Sequence, residues 1–392
     1  MVAAPALSSD GRVLIGMALG TIDGVSDRRI FFVDTLTGER EIIAGLGGNS
    51  SGWNSLISRV CVSDDGRFVA FTSRDAGLVE GDTNGVADVF VRDRQLGTTV
   101  RVSLTPAGGQ TIGANGLTDM TPDGRFVTFL RSIGLFRLAY RYDRLTGEVV
   151  TVTPGLVDEM PSIVVLDAQM SSDGAEVLFV AQGSEPIVSI PPSGTPAIGN
   201  QLYRWSELAP IGDHPVTALT RNTDGVWANA PIEGFATSGD RRSIAVATKA
   251  SNLAPPGPGI GDGRTRLFRL DRTVALSSAR WEHLSRVRDE PFNDDIVPCL
   301  ALSDDGTRVG LVTRASNIRP FDTGGFSDVF LLHAPLPPLG DLDGDGVVGS
   351  GDLALLLGLW GMGDPTLTGG DLDGDGSVGV TDLAILLGAW SE

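Results

Sequence analysis

The chain has 392 residues, of which 41% are hydrophobic and 20% charged, and its formal net charge is −19. That length exceeds an ordinary compact domain unless the domain is a large propeller or barrel, and the apolar content excludes a disordered chain. The acidic balance argues against nucleic acid and anionic membranes as partners, which both need a basic face, and no apolar run of 18 residues is present to span a bilayer.

The chain opens with "MVAAPALSSDGR", which has no basic n-region and too short an apolar run for a signal peptide. From Leu7 a phrase begins that recurs six times: "LSSDGRVLIGMA", "VSDDGRFVAFTS" from Val62, "MTPDGRFVTFLR" from Met120, "MSSDGAEVLFVA" from Met170, "TSGDRRSIAVAT" from Thr237 and "LSDDGTRVGLVT" from Leu302. Four residues after the shared Asp come Leu14, Val69, Val127, Val177, Ile244 and Val309, and two further on Gly16, Phe71, Phe129, Phe179, Val246 and Leu311. Period two on either side of an Asp-Gly turn predicts strand, turn, strand. A second β-rich stretch follows, such as "DVFVRDRQLGTTVRVSL" from Asp88, with its own hairpin turn. Four strands per unit, with units about 59 residues apart, match propeller blades with generous loops.

The last unit supplies "PCLALS", "RVGLVT" and "DVFLLH", then runs into "APLPPLG", whose three prolines cannot form a central strand. One outer strand is lacking. A closed propeller takes such a strand from the opposite terminus, so the expectation is that the recorded start lies inside a longer gene product carrying the closing strand and a signal peptide.

These repeats resemble the TolB-like six-bladed propellers of secreted bacterial proteins, whose blades carry S-x-D-G-R-x-V-A-F-x-S and D-x-N-G-x-x-D-V-F-V. The match is closest over residues 62–104. The resemblance implies a mainly β fold, a six-bladed β-propeller over residues 1–333, joined by a Pro-rich linker at 334–339 to residues 340–392. It does not imply an activity, because propellers serve binding modules and enzymes alike.

Within the propeller the search for chemistry yields little. "GNSSG" from Gly48 matches a nucleophile-elbow pattern, but no helix pattern follows it, so it reads as a blade-connecting turn. His214, His283 and His333 stand in different repeat contexts and read as surface or edge residues. "DTNGVAD" from Asp82 and "DTGGFSD" from Asp322 read as Asx-type turns before a strand, with a bound cation as the alternative. Trp53, Trp205, Trp227 and Trp281 could stack on sugars, against ordinary blade packing. Cys61 and Cys299 fall on the innermost strands of two non-adjacent blades and read as buried thiols rather than a bridge. A cluster of two or three close carboxylates with a basic residue at one channel mouth would favour an enzyme, and an apolar or Gly-lined channel a binder.

The strongest motif lies at the end. "DLDGDGVVGSGD" from Asp341 and "DLDGDGSVGVTD" from Asp371 repeat at an offset of 30 residues, each followed by an apolar run. Asp341, Asp343 and Asp345 hold positions 1, 3 and 5 of a twelve-residue calcium loop, with Asp352 at 12. Asp371, Asp373, Asp375 and Asp382 repeat the pattern. Calcium takes six to eight hard oxygens, and alternate positions of a tight loop aim them inward. Val347 and Ser377, at position 7, would add backbone carbonyls, and Gly349 and Gly379, at position 9, leave room for water. From Gly340 to Glu392 there are nine Asp, one Glu and no Lys or Arg, so the carboxylates repel one another without a cation. Two Ca2+ sites are therefore predicted, and the tail is expected to fold on binding the metal.

Only an exiting helix accompanies each loop. This duplicated half EF-hand after a Pro-rich linker resembles a type I dockerin, a small α-helical calcium-binding domain that plugs into cohesin domains on extracellular scaffolds. By position, that family's recognition residues fall on Ser350 with Gly351 and on Val380 with Thr381. The resemblance implies an extracellular or cell-surface location and a cohesin-like protein partner, with a glycan or protein as ligand of the propeller. A polysaccharide-degrading enzyme recruited by the same tail and an intramolecular calcium clamp are the alternatives. The helices "LALLLGLWG" and "LAILLGAWS" are apolar nearly all round and too short to be stable alone, so each is expected to cover the other and leave a face for a partner. The propeller is expected to be indifferent to calcium.

Overall fold

The computed structural model describes residues 5–8, 10–22, 25–45, 59–153, 163–183, 199–207, 216–222, 225–240, 242–273, 281–287, 290–319, 325–361, 370–373 and 377–391. The chain forms two compact units, Met1–Phe179 and Val180–Glu392.

The first unit contains β1 (Ala6–Leu7), β2 (Val13–Ile22), β3 (Val25–Asp34) and β4 (Arg40–Gly45), hydrogen-bonded in that order as an antiparallel sheet. The same meander recurs in β5 (Val60–Val62), β6 (Phe68–Ser73), β7 (Asp88–Asp93) and β8 (Thr98–Arg101). It recurs again in β9 (Asn115–Met120), β10 (Phe126–Ile133), β11 (Phe136–Asp143) and β12 (Val149–Thr151). Next come β13 (Ile163–Met170) and β14 (Glu176–Gly183), in which the first unit ends. The second unit continues with β15 (Gln201–Ser206) and β16 (Val216–Ala218). Its fifth meander is β17 (Ile232–Thr237), β18 (Ser243–Thr248), β19 (Arg266–Asp271) and β20 (Trp281–His283). After a short hairpin, β21 (Arg286–Val287) and β22 (Glu290–Pro291), the sixth consists of β23 (Ile296–Leu302), β24 (Arg308–Thr313) and β25 (Asp328–His333). Among the described residues no fourth strand pairs with β25.

The recurring phrase has a local cause. In each copy the residue two before the Asp is Ser or Thr, and its hydroxyl donates to that Asp, as Ser63 does to Asp65 at 2.5 Å and Thr121 to Asp123 at 2.6 Å. The same hydroxyl accepts the backbone N–H at the head of the next strand, Phe68 or Phe126. The turn is thus closed by side chains, and the hydroxyl of Ser303 is the main cause that holds Asp305 down at about 2. Arg12, Arg67, Arg125 and Arg242 then reach the Asp that ends the third strand of their own meander, Asp34, Asp93, Asp143 and Asp271, at 2.7 to 3.0 Å.

The turn glycine sets how meanders stack. Gly124 has φ +69°, and a Cβ placed there would meet the Phe68 ring of the preceding meander at 2.6 Å. Gly66 stands in the same relation to Val13, at 2.5 Å. Arginines complete the seam: Arg94 lies 3.3 Å from the centre of the Phe32 ring and donates to Gly66 O, and Arg144 lies 3.8 Å from that of Phe68 and donates to Gly124 O. Apolar cores fill the space between, for example Val69, Phe71 and Phe90 with Ile15, Ile30 and Phe32.

The tail carries two nine-residue helices, α1 (Ser350–Gly358) and α2 (Val380–Gly388), each starting from a glycine N-cap with an Asp in its first turn. Leu356 and Leu386 are fully buried between them with Leu342, Val348, Leu372 and Val378. The core of the tail is therefore built from one residue set used twice.

Candidate metal centre

In the first loop the carboxylates of Asp341, Asp343 and Asp345 each bring an oxygen within 4.8 Å of the others. Asp341 is buried and accepts the N–H groups of Gly344 at 2.8 Å, Asp345 at 3.1 Å and Gly346 at 2.9 Å, so it organises the turn that brings the other two round. Asp352 stands outside that trio. Its Oδ1 accepts Leu342 N and Asp343 N and its Oδ2 accepts Gly349 N, which fastens the loop to the start of α1. A carboxylate there also suits the positive end of the helix.

The second loop uses the terminal residue differently. Asp382 makes the same backbone hydrogen bonds, to Leu372, Asp373 and Gly379, and its carboxylate also lies within 4.8 Å of those of Asp371 and Asp373. Asp375 lies outside the described residues. Val347 and Ser377 are exposed at the rims of their loops.

These donors fit a hard divalent cation. They are all oxygens, and no Lys or Arg occurs in the tail to neutralise them. Asp341 is pushed above the usual carboxylate range, first by burial and then by the charges of Asp352 and Asp343, and two backbone N–H groups oppose the shift. A bound cation would reverse that balance.

A second cluster, which the sequence did not reveal, joins the first strands of three meanders. Arg59, just before β5, donates to Thr118 O on β9 at 2.9 Å and to the Asp167 carboxylate on β13 at 2.7 Å. Asp119 on β9 accepts its own neighbour Met120 N at 2.9 Å and Met170 N of β13 at 2.8 Å. All three ionic side chains are partly exposed. Burial raises Asp119 to about 6, against Arg59 and the two N–H donors, and raises Asp167 as well.

The remaining candidates sort as follows. Trp205, Trp227 and Trp281 are buried, so they pack blades rather than offer a face to a sugar. His283, on the outer strand β20, is buried against Phe268, and burial lowers it to about 4; His333 is exposed at the end of β25. At "DTNGVAD" the counter-charge is a protein side chain: Arg101 lies 3.1 Å from Asp82 and 3.9 Å from Asp88, and Asn84 forms the turn onto Val86 N. Cys299 corrects the reading of two buried thiols. It is exposed on β23, whose residues 297–299 all face solvent, and Cys61 is half-buried beside Asp119. His214, Trp53, "GNSSG" and Asp322 lie outside the described residues.

No family model matches the chain, and no curated protein does. Solved structures match it widely. The β-propeller domain of the Trilobed protease from Pyrococcus furiosus aligns with 86% of this chain and 84% of its own, at 10% identity and a TM-score of 0.50. An oligogalacturonate lyase from Vibrio parahaemolyticus aligns with 84% of this chain and 76% of its own, at 11% identity and a TM-score of 0.50. TolB from Acinetobacter baumannii aligns with 74% of this chain at 20% identity and a TM-score of 0.40, and the match spans 55% of that protein's length. The fold is mainly β and of the β-propeller class, with two short helices at the C-terminal end. No helix among the described residues is long and apolar enough to cross a membrane.

Proposed function

We propose that this chain is a secreted bacterial propeller that binds a glycan or protein, and that its C-terminal end is a calcium-dependent, dockerin-like adaptor for a cohesin-type or cell-surface protein. The observation that carries the reading is that exposure repeats with the sequence. Leu357 and Leu387 are 54% and 51% exposed, and Trp360 and Trp390 are 42% and 37% exposed, although an apolar core is already complete beneath them. Ser350, Gly351, Val380 and Thr381, which occupy the dockerin recognition positions, are exposed as well. A module serving only as an internal clamp gains nothing by presenting large apolar groups to water twice.

The test uses the full chain and a panel of purified cohesin domains, in calcium and in chelator. Binding by one cohesin in calcium only, abolished by Leu357→Glu with Leu387→Glu while calcium affinity is kept, supports the adaptor. Absence of binding, with both tryptophans shielded from a soluble quencher, leaves an intramolecular clamp.

A second reading, an enzyme of polysaccharide breakdown recruited by the same tail, is favoured by the Arg59, Asp119 and Asp167 cluster. A carboxyl raised to about 6 beside a second carboxyl and a guanidinium suits acid–base work near neutral pH. Turnover of a polysaccharide that Asp119→Asn removes, in a variant that remains folded, would establish it.

A further inference from the structure

We propose that the segment joining the propeller to the tail is a strap, through which calcium in the first loop is coupled to the stability of the fifth meander. The proposal rests on the calcium reading of the tail. Proline carbonyls are acceptors with no N–H beside them, and "APLPPLG" offers a row of them to a partner rich in donors. That partner is the third strand of the fifth meander and its turn. Arg269 on β19, with a side chain only 3% exposed, donates to Ala334 O from one nitrogen and, at 3.1 Å, to Pro335 O from the other, which also pairs with Glu282 of β20. Arg242, held by Asp271, donates to Pro337 O at 2.7 Å. Ala334 N closes onto Thr307 O at 2.8 Å.

The strap runs directly into the loop. Asp341 N donates to Pro338 O at 3.1 Å, so the first calcium position is hydrogen-bonded to the residue after the last anchored carbonyl. Gly340, at φ +103°, packs against Leu386 of α2 and Val348 and so locks the turn onto the core of the tail. Gly344, Asp345 and Gly346 line a cavity of about 700 Å³ together with Arg269 and Trp281. A free spacer would leave the loop at an undefined distance from β19. Here two buried or part-buried arginines, three carbonyls and a stiff proline run fix it, so ordering the loop with metal also orders the strap and the strands that hold it. This contrasts with the independence expected of a Pro-rich linker.

Hydrogen exchange of the full chain, read by mass spectrometry in calcium and in chelator, tests the coupling, with calorimetry of calcium binding measured in parallel. Amides of β19 and β20 should exchange about tenfold more slowly with calcium in the wild type. Inserting Gly-Ser-Gly-Ser between the exposed Pro338 and the part-buried Leu339, which spares both arginines, should retain the calcium heats and lose that protection. Calcium binding without any change at β19 and β20, or equal protection in both proteins, overturns the coupling. If the wild type shows no binding heat, the calcium reading itself fails and the coupling falls with it.

Discussion

Replacing Asp119 by Asn should flatten a specific part of the protein's pH–stability curve. The carboxyl has an ordinary value of 3.8 and stands at about 6 in the folded chain, with burial as the leading cause. Because the folded state holds this proton more tightly than the unfolded state, the contribution of protonated Asp119 is complete below about pH 4. It declines as pH rises to about 6, and is constant above that. A shift of two units corresponds to about 3 kcal/mol, and solvent contact at this half-buried site reduces the working figure to about 1–2 kcal/mol. The amide cannot ionise and, like the protonated carboxyl, offers one carbonyl oxygen to Met120 N and Met170 N, so exchanging one for the other costs little. The variant should therefore match the wild type at pH 4 and exceed its stability by about 1–2 kcal/mol at pH 7.5. Urea unfolding of both proteins at half-unit steps from pH 4 to 8 measures this difference, and taking the difference cancels the titration of the other carboxylates. A gap between the two proteins that stays constant across that range would refute the reasoning.

Gly124→Ala should cost about 2–4 kcal/mol in urea unfolding, since it adds a Cβ against Phe68 to the strain of φ +69°. Gly134→Ala, at φ +60° with no atom within 4 Å of the added carbon, should cost only about 1 kcal/mol; equal losses would show that the seam does not depend on this contact. A thiol reagent at pH 8 should label Cys299 rapidly and Cys61 slowly. Burial and the neighbouring Asp119 push the Cys61 thiol well above its ordinary range, and peptide mapping of the labelled sites would reveal the reverse order.

Much of the fold is legible because the repeat writes the same physics six times. Ser63, Asp65, Gly66 and Phe68 make one turn from local hydrogen bonds, and period two identifies the strands on either side. The Arg67 to Asp93 pair was not read from the sequence, although the Asp that ends the third strand recurs from copy to copy. The acid loops were legible for a reason similar to the turn's: their carboxylates lie within twelve consecutive residues. What the sequence could not show depends on how separate meanders converge. Arg59 meets Asp167 across 108 positions, and no local spacing encodes that. Cys299 looked buried because inner strands usually are, yet β23 turns residues 297–299 to solvent. The proline segment looked like a spacer because composition describes stiffness, and the arginines that bind it stand 95 and 66 positions away.

The most direct test is the number of calcium ions the full chain binds. Isothermal titration of the metal-stripped protein should give two sites, one remaining after Asp341→Ala and none after Asp341→Ala with Asp371→Ala, with the propeller strands still folded by circular dichroism. Binding of no calcium up to millimolar concentration, or a stoichiometry that the double replacement leaves unchanged, would contradict the account.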